Sequence, residues 1–287
     1  MKLARVRHEG LVHLARIEGK AEEKQTAVLL ATEEPGPRAD VMVDTIASDG
    51  RVGGAGAEVP LSEVDLLAPV TQPGKIIAIG LNYADHADES AMDLPGAPLL
   101  FSKPSSAIVG PGEPVRWTAD DCTQPDYEAE MAVVIGRTAR GEIDDPLGHV
   151  FGYTCCNDFS ARDAQFADGQ WVRGKSFDTF CPLGPWIVTP DEFGDPQTHA
   201  IGIDVVDSSG NRERLQDGHT RHMIFGVAEL IRYVARYITL EPGDVIATGT
   251  PDGVGFARRP PRYMRDGDVM TVWVEGVGEL VNPCVES

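Results

Sequence analysis

The stretch Tyr127-Glu128-Ala129-Glu130-Met131-Ala132-Val133-Val134-Ile135-Gly136 decides the architecture. Its apolar, β-forming run from Met131 to Ile135 stops at Gly136, which predicts a short, largely buried β-strand. Side chains alternate faces along a strand, so Glu128 and Glu130 point to one side. Two carboxylates on one face at the mouth of a buried strand repel each other, and protons, a basic residue or a cation must neutralise them. Asp158, in the downstream pair Asn157-Asp158, offers a third carboxylate. An all-oxygen set suits Mg²⁺ or Mn²⁺ better than zinc, which prefers nitrogen and sulfur. A bare E-x-E also fits a solvated strand end, so the pair alone leaves both readings open.

Around that strand the chain has 287 residues, 42% hydrophobic and 24% charged, an ordinary globular composition with enough length for a substantial core. A formal net charge of -20 argues against nucleic-acid or anionic-membrane partners, while a local cation cluster can still bind a small acid. The N-terminus lacks the apolar core of a secretory signal, and no apolar run reaches membrane-spanning length. Five cysteines without C-x-x-C spacing fit a reduced, cytoplasmic location, and the neighbours Cys155 and Cys156 read as small core residues.

Residues 1–72 carry short strands (Val6 to Ile17, Thr26 to Leu30) and a glycine-rich piece, Gly50 to Gly56, before a boundary near Pro69 and Pro73-Gly74. Residues 73–287 hold the chemistry. A strand over Lys75 to Gly80 leads through Leu81-Asn82-Tyr83 into a helical piece where His86 and Glu89 lie three apart and can meet. A carboxylate beside an imidazole fixes its tautomer and raises its basicity, as a general base requires; an exposed charged face explains H-x-x-E as well. Ala91 to Pro98, rich in Ala, Pro and Gly, is a candidate lid.

Lys103 ends another strand, where solvation is the ordinary expectation. Ser160-Ala161-Arg162-Asp163 predicts a helix start with Ser160 as cap, which puts Asp158 at a strand-to-helix junction. Gly174-Lys175-Ser176 follows Gly169 at phosphate-loop spacing, but the intervening Gln170-Trp171-Val172-Arg173 is bulky and charged where a phosphate needs backbone access and no strand precedes it, so Lys175 reads instead as a cation available to developing negative charge. Strands are expected over Pro182 to Thr189 and Ile201 to Val206, and a helix with a core-facing stripe over Met223 to Val234. Thr248-Gly249-Thr250-Pro251-Asp252-Gly253-Val254-Gly255 presents hydroxyls and amides suited to a carboxylate.

In order along the chain, N-Y-A-D-H-A-D-E (Asn82 to Glu89), F-S-K-P (Phe101 to Pro104), D-Y-E-A-E (Asp126 to Glu130), G-Y-T-C-C-N-D-F-S-A-R-D (Gly152 to Asp163), G-K-S-F-D-T-F-C-P-L-G-P (Gly174 to Pro185) and A-T-G-T-P-D-G-V-G (Ala247 to Gly255) resemble the fumarylacetoacetate hydrolase family. The resemblance runs from Lys75 to about Pro283. It implies a mixed α/β, mainly β fold: a catalytic β-roll or sandwich domain at 73–287 behind a small N-terminal β-rich domain at 1–72. It implies that Glu128, Glu130 and Asp158 hold Mg²⁺ or Mn²⁺, that His86 with Glu89 is the base, and that Lys175 lies near the metal. Gln165, Thr250 and Lys103 fall in the implied substrate-binding set. Leu81 stands where some members carry arginine, which removes the warrant for a positive substrate contact there.

The activity implied is cleavage of a carbon–carbon bond in a β-diketo acid of the acylpyruvate or fumarylpyruvate type, by a homodimer acting on a small keto acid. The same chemistry serves oxaloacetate decarboxylation, or tautomerisation or isomerisation of oxaloacetate or a hydroxymuconate-like dienoate. A non-catalytic protein that binds small acids is the alternative of another class.

Overall fold

The computed structural model describes residues 1–19, 24–34, 36, 39–48, 56–89 and 92–287. Of the glycine-rich piece only Gly56 lies among them, and Ser90 and Ala91 at the head of the candidate lid lie outside them. The opening stretch forms the strand Ala129–Ile135, buried along its whole length. Val150–Asn157 pairs antiparallel on one side of it and Val245–Ala247 antiparallel on the other. Val245–Ala247 in turn runs parallel to Ile76–Gly80, which pairs antiparallel with Leu99–Lys103. In the other direction the sheet continues through Cys181–Val188, Lys2–His8, Leu11–Glu18, Thr26–Thr32 and Ala57–Pro60. The N-terminal strands thus extend the sheet that carries the central strand.

A five-stranded sheet, ordered Arg212–His219, Ala200–Val206, Val269–Val274, Gly278–Glu286 and Val115–Trp117, covers one face. Period two explains why the central run is apolar without a break. Met131, Val133 and Ile135 enter a core with Ile201, Ile203, Met270 and Val272 of the covering sheet. Ala132 and Val134 enter a second core with Met42, Ile46, Leu183 and Ile187. A strand buried on both faces needs apolar residues at every position. Glu128 and Glu130 continue the face of Ala132 and Val134 to the strand's open end. All five cysteines are free and buried, with Cys155 in the first core and Cys156 in the second.

The molecule is mixed α/β and mainly β, as expected, and no helix among the described residues is long and apolar enough to cross a membrane. Two helix boundaries differ from the sequence reading. The helix expected from Met223 begins at Val227, because Asn82 takes the backbone N–H groups of Ile224 and Phe225 on its carbonyl and side-chain oxygens (2.7 and 2.9 Å). Ser160 does not cap a helix. It pairs with Asp126 in a two-stranded ladder and donates its hydroxyl to the Asp158 carbonyl (2.8 Å), so the helix starts at Arg162. Asp163 instead accepts from the Thr123 backbone and hydroxyl, both at 2.7 Å.

The loop carrying Lys175 packs backbone to backbone on that helix. A Cβ added to Gly174 would lie 2.5 Å from the Gln165 nitrogen and 2.7 Å from its Cα. Gly174→Ala is therefore expected to destabilise the protein by about 1–3 kcal/mol through overpacking, read as a lower urea midpoint with an unchanged slope. An unaltered midpoint would show that the helix yields freely.

Candidate active site

The antiparallel register that sets Ala129 opposite Asn157 puts Asp158 beside Glu128, with the Asp158 N–H donating to the Glu128 carbonyl at 3.0 Å. Carboxylate oxygens of Glu128, Glu130 and Asp158 lie within 4.8 Å of one another, and all three residues are buried. Lys175 Nζ bridges Glu128 Oε2 and Asp158 Oδ2, at 2.8 Å each. Lys103 Nζ donates to Asp158 Oδ1 at 2.6 Å, to the Phe159 carbonyl at 3.2 Å, and to the Lys175 carbonyl. Arg162 pairs with Glu128 Oε1 (2.7 Å) and Asp126 Oδ2 (2.8 Å).

Four buried carboxylates, Asp126 among them, thus face three cations, leaving one negative charge. That charge falls on Glu130. Among the described residues its partner is the Gly249 N–H at 2.9 Å, and it has no basic neighbour within ion-pair distance. Burial first, then the carboxylates of Asp158 and Glu128, push its carboxyl well above the usual range. Burial acts the same way on Glu128, but Lys175 and then Arg162 beside it pull that carboxyl below the usual range. An uncompensated, oxygen-only cluster of this kind fits a hard divalent cation.

Leu81 sits at φ 50°, in the left-handed region that side-chain-bearing residues seldom adopt, and delivers the chain from strand Ile76–Gly80 into helix Ala84–Glu89. On that helix His86 Nδ1 meets Glu89 Oε1 at 2.8 Å, and Glu89 Oε2 accepts from the Gly253 N–H at 2.8 Å. The hydroxyl- and amide-rich loop therefore braces the dyad. A cavity of about 190 Å³ is lined at its polar end by His86, Glu128, Arg162, Gln165, Lys175 and Thr250.

The structure brings most of the sequence-derived set together: Glu130 and Asp158 complete the carboxylate cluster with Glu128, and Glu89 stands behind His86. Two residues depart from expectation. Lys103 is neither solvated nor among the cavity-lining residues; it is buried behind Asp158, its ammonium group spent on that carboxylate and two carbonyls. Thr250 lines the cavity, but its hydroxyl donates to the Ala129 carbonyl (2.9 Å) and accepts from Gln216 Nε2 (2.8 Å), so its proton is already engaged.

Sequence reasoning passed over Arg162 and Gln216. Arg162 is buried, holds Gln165 Oε1 at 2.9 Å through Nη1, and lines the cavity; its place after the Asn157-Asp158 junction was the available signal. Gln216, whose Oε1 accepts from the Ala129 N–H at 2.9 Å, lies in a polar run that carries no such signal.

Residues 75–285 match the fumarylacetoacetate (FAA) hydrolase C-terminal family. The chain belongs to this family. Among FAA hydrolase relatives, it is 44% identical over 229 residues to the mitochondrial oxaloacetate tautomerase Fahd2a of Rattus norvegicus, covering 79% of this chain and 71% of the relative. It is 48% identical over 213 residues to a 2,4-didehydro-3-deoxy-L-rhamnonate hydrolase of Sphingomonas sp. (strain SKA58), covering 73% of each. A fumarylacetoacetate hydrolase from the psychrophile Exiguobacterium antarcticum superposes with a TM-score of 0.86 at 39% identity, over 100% of both chains.

The charge imbalance has a measurable consequence. Because Glu130 titrates above its unfolded value, its contribution to metal-free stability is complete below about pH 4.5 and is lost as pH rises through the raised folded value. A divalent ion competes with that proton, so the rise in Tm on adding Mg²⁺ or Mn²⁺ should grow with pH. At a hundredfold excess over Kd the gain is about 2.7 kcal/mol, several degrees for a chain of this size. Glu130→Gln should abolish the gain while leaving metal-free Tm equal or higher. A pH-independent Tm indifferent to both ions would refute the cation site.

Proposed function

We propose that the protein is a divalent-metal-dependent hydrolase that cleaves a carbon–carbon bond in a β-diketo acid of the acylpyruvate type. The observation that carries this reading is that His86, held by Glu89, lines the same cavity as Glu128 of the carboxylate cluster. Glu128, Glu130 and Asp158 would hold Mg²⁺ or Mn²⁺, which when bound supplies concentrated positive charge for the 2-oxo acid head.

The chain's own groups do the rest. With Nδ1 held by Glu89, His86 presents Nε2 to take a proton from water. The water oxygen attacks the distal carbonyl, and Arg162, Lys175 and the Gln165 amide, which line the cavity, would steady the oxyanion that develops. As the bond breaks, His86 returns the proton to the departing carbon, giving a carboxylic acid and a 2-oxo acid. Gln165 is pre-positioned for this by its bond from Arg162.

A second reading has its own support. The 44% identical relative is an oxaloacetate tautomerase, and moving a proton between carbon and oxygen needs His86 but no attacking water. Assays with Mg²⁺ or Mn²⁺ separate the two. Acylpyruvate cleavage is expected, with His86→Ala lowering kcat by about 10²–10⁴ at an unchanged Tm. Turnover of oxaloacetate or a dienoate alone would replace hydrolysis by proton transfer, and no turnover of any keto acid would favour a non-catalytic binder.

A further inference from the structure

The cavity changes character from floor to mouth. At the floor Arg162 and Lys175 are each 2% exposed, and at the mouth Met92 and Phe166 are 48% and 60% exposed. Each floor cation underlies an aromatic pair. Lys175 Nζ lies 5.4 Å from the Phe101 ring centre, and Phe101 meets Trp171 edge to face at 5.5 Å. Arg162 lies 4.6 Å from the Phe256 ring, which meets Phe166 edge to face at 5.6 Å. These four rings, with Ile79, Leu81 and Met92, form the apolar part of the lining.

Both floor cations are bonded to carboxylates, and among the described residues no other lysine or arginine lines the cavity. Arg173, close to Trp171 in the chain, is committed to Asp168 through two bonds of 2.6 Å and stays outside the lining. Of the exposed large hydrophobic side chains, Met92, Leu94, Leu99, Phe166 and Val172 all lie on the segments that carry this wall. Their concentration there marks a binding surface rather than scattered background exposure.

We infer that the substrate's acyl group is uncharged and apolar, an aliphatic or aromatic tail rather than one ending in a carboxylate. This rests on the keto-acid reading above for the placement of the acid head at the floor. A terminal carboxylate at the mouth would lie against apolar and aromatic side chains in a protein of net charge -20, and among the described residues the lining offers it no lysine or arginine free of a carboxylate partner. Phe166, exposed on helix Arg162–Asp168, is the residue through which this selectivity can be altered without disturbing the core.

The test uses the full chain loaded with Mn²⁺ and pairs of acylpyruvates of equal length whose tails end in methyl or in carboxylate. The methyl-ended substrate should be preferred in kcat/KM by about 30-fold or more, with a gain of about fourfold per added methylene until the tail reaches the mouth. Phe166→Arg should narrow that preference by about tenfold, by raising kcat/KM for the carboxylate-ended member. In parallel, simple 2-oxo acids and 2-oxo diacids of matched length are compared by the thermal shift each produces in the Mn²⁺-loaded protein, which needs no turnover.

Tighter binding of the monoacids with no acylpyruvate cleaved would sink the hydrolase reading and sustain this inference. Cleavage with the carboxylate-ended tail equal or better would do the reverse. Equal binding of monoacids and diacids, or binding of neither, would overturn the inference directly.

Discussion

Burying three carboxylates within 4.8 Å of one another is the constraint around which the molecule is arranged. Each ionised group taken out of water must find opposite charge or donors, or it takes up a proton. The fold meets that demand with Lys103 and Lys175 on Asp158 and with Lys175 and Arg162 on Glu128, and Arg162 is itself fixed by Asp126. Among the described residues, Glu130's carboxylate receives a single backbone N–H. The resulting imbalance suits the floor to a small, hard cation, and Lys103, Lys175 and Arg162 are each fixed by that charge network.

Much of this was legible in the sequence, for physical reasons that differ by residue. A strand buried on both faces leaves an apolar run with no polar break, so Met131 to Ile135 could be read directly, and period two put Glu128 and Glu130 together. The His86–Glu89 spacing was equally legible, because a helix makes neighbours of residues three apart. What escaped depends on distant partners. Ser160 resembles a cap, but its hydroxyl goes to the Asp158 carbonyl, and Met223 to Phe225 resembles a helix start, but Asn82 takes the N–H groups of Ile224 and Phe225. Lys103 reads as a solvated strand end unless one knows that Asp158 lies beside it in space.

The apolar wall escaped for a related reason. Leu81, Phe101, Phe166, Trp171 and Phe256 come from separate segments, and each alone resembles an ordinary core or surface hydrophobe. Only the fold brings them together as the lining of one cavity. Gly174 belongs to the same class: its small size matters because the Gln165 backbone passes 2.5 Å from where a Cβ would be.

The positions of these parts along the chain carry a last consequence. Every charged group of the floor, from Lys103 through Asp126, Glu128, Glu130, Asp158 and Arg162 to Lys175, lies within one continuous stretch. The brace on Glu89 comes from Gly253, and the aromatic wall is closed by Phe256. A chain emerging from the ribosome N-terminus first therefore has all its floor charges available before the base is anchored or the wall is complete. The residues that gather the charges thus leave the ribosome before those that brace Glu89 and close the wall.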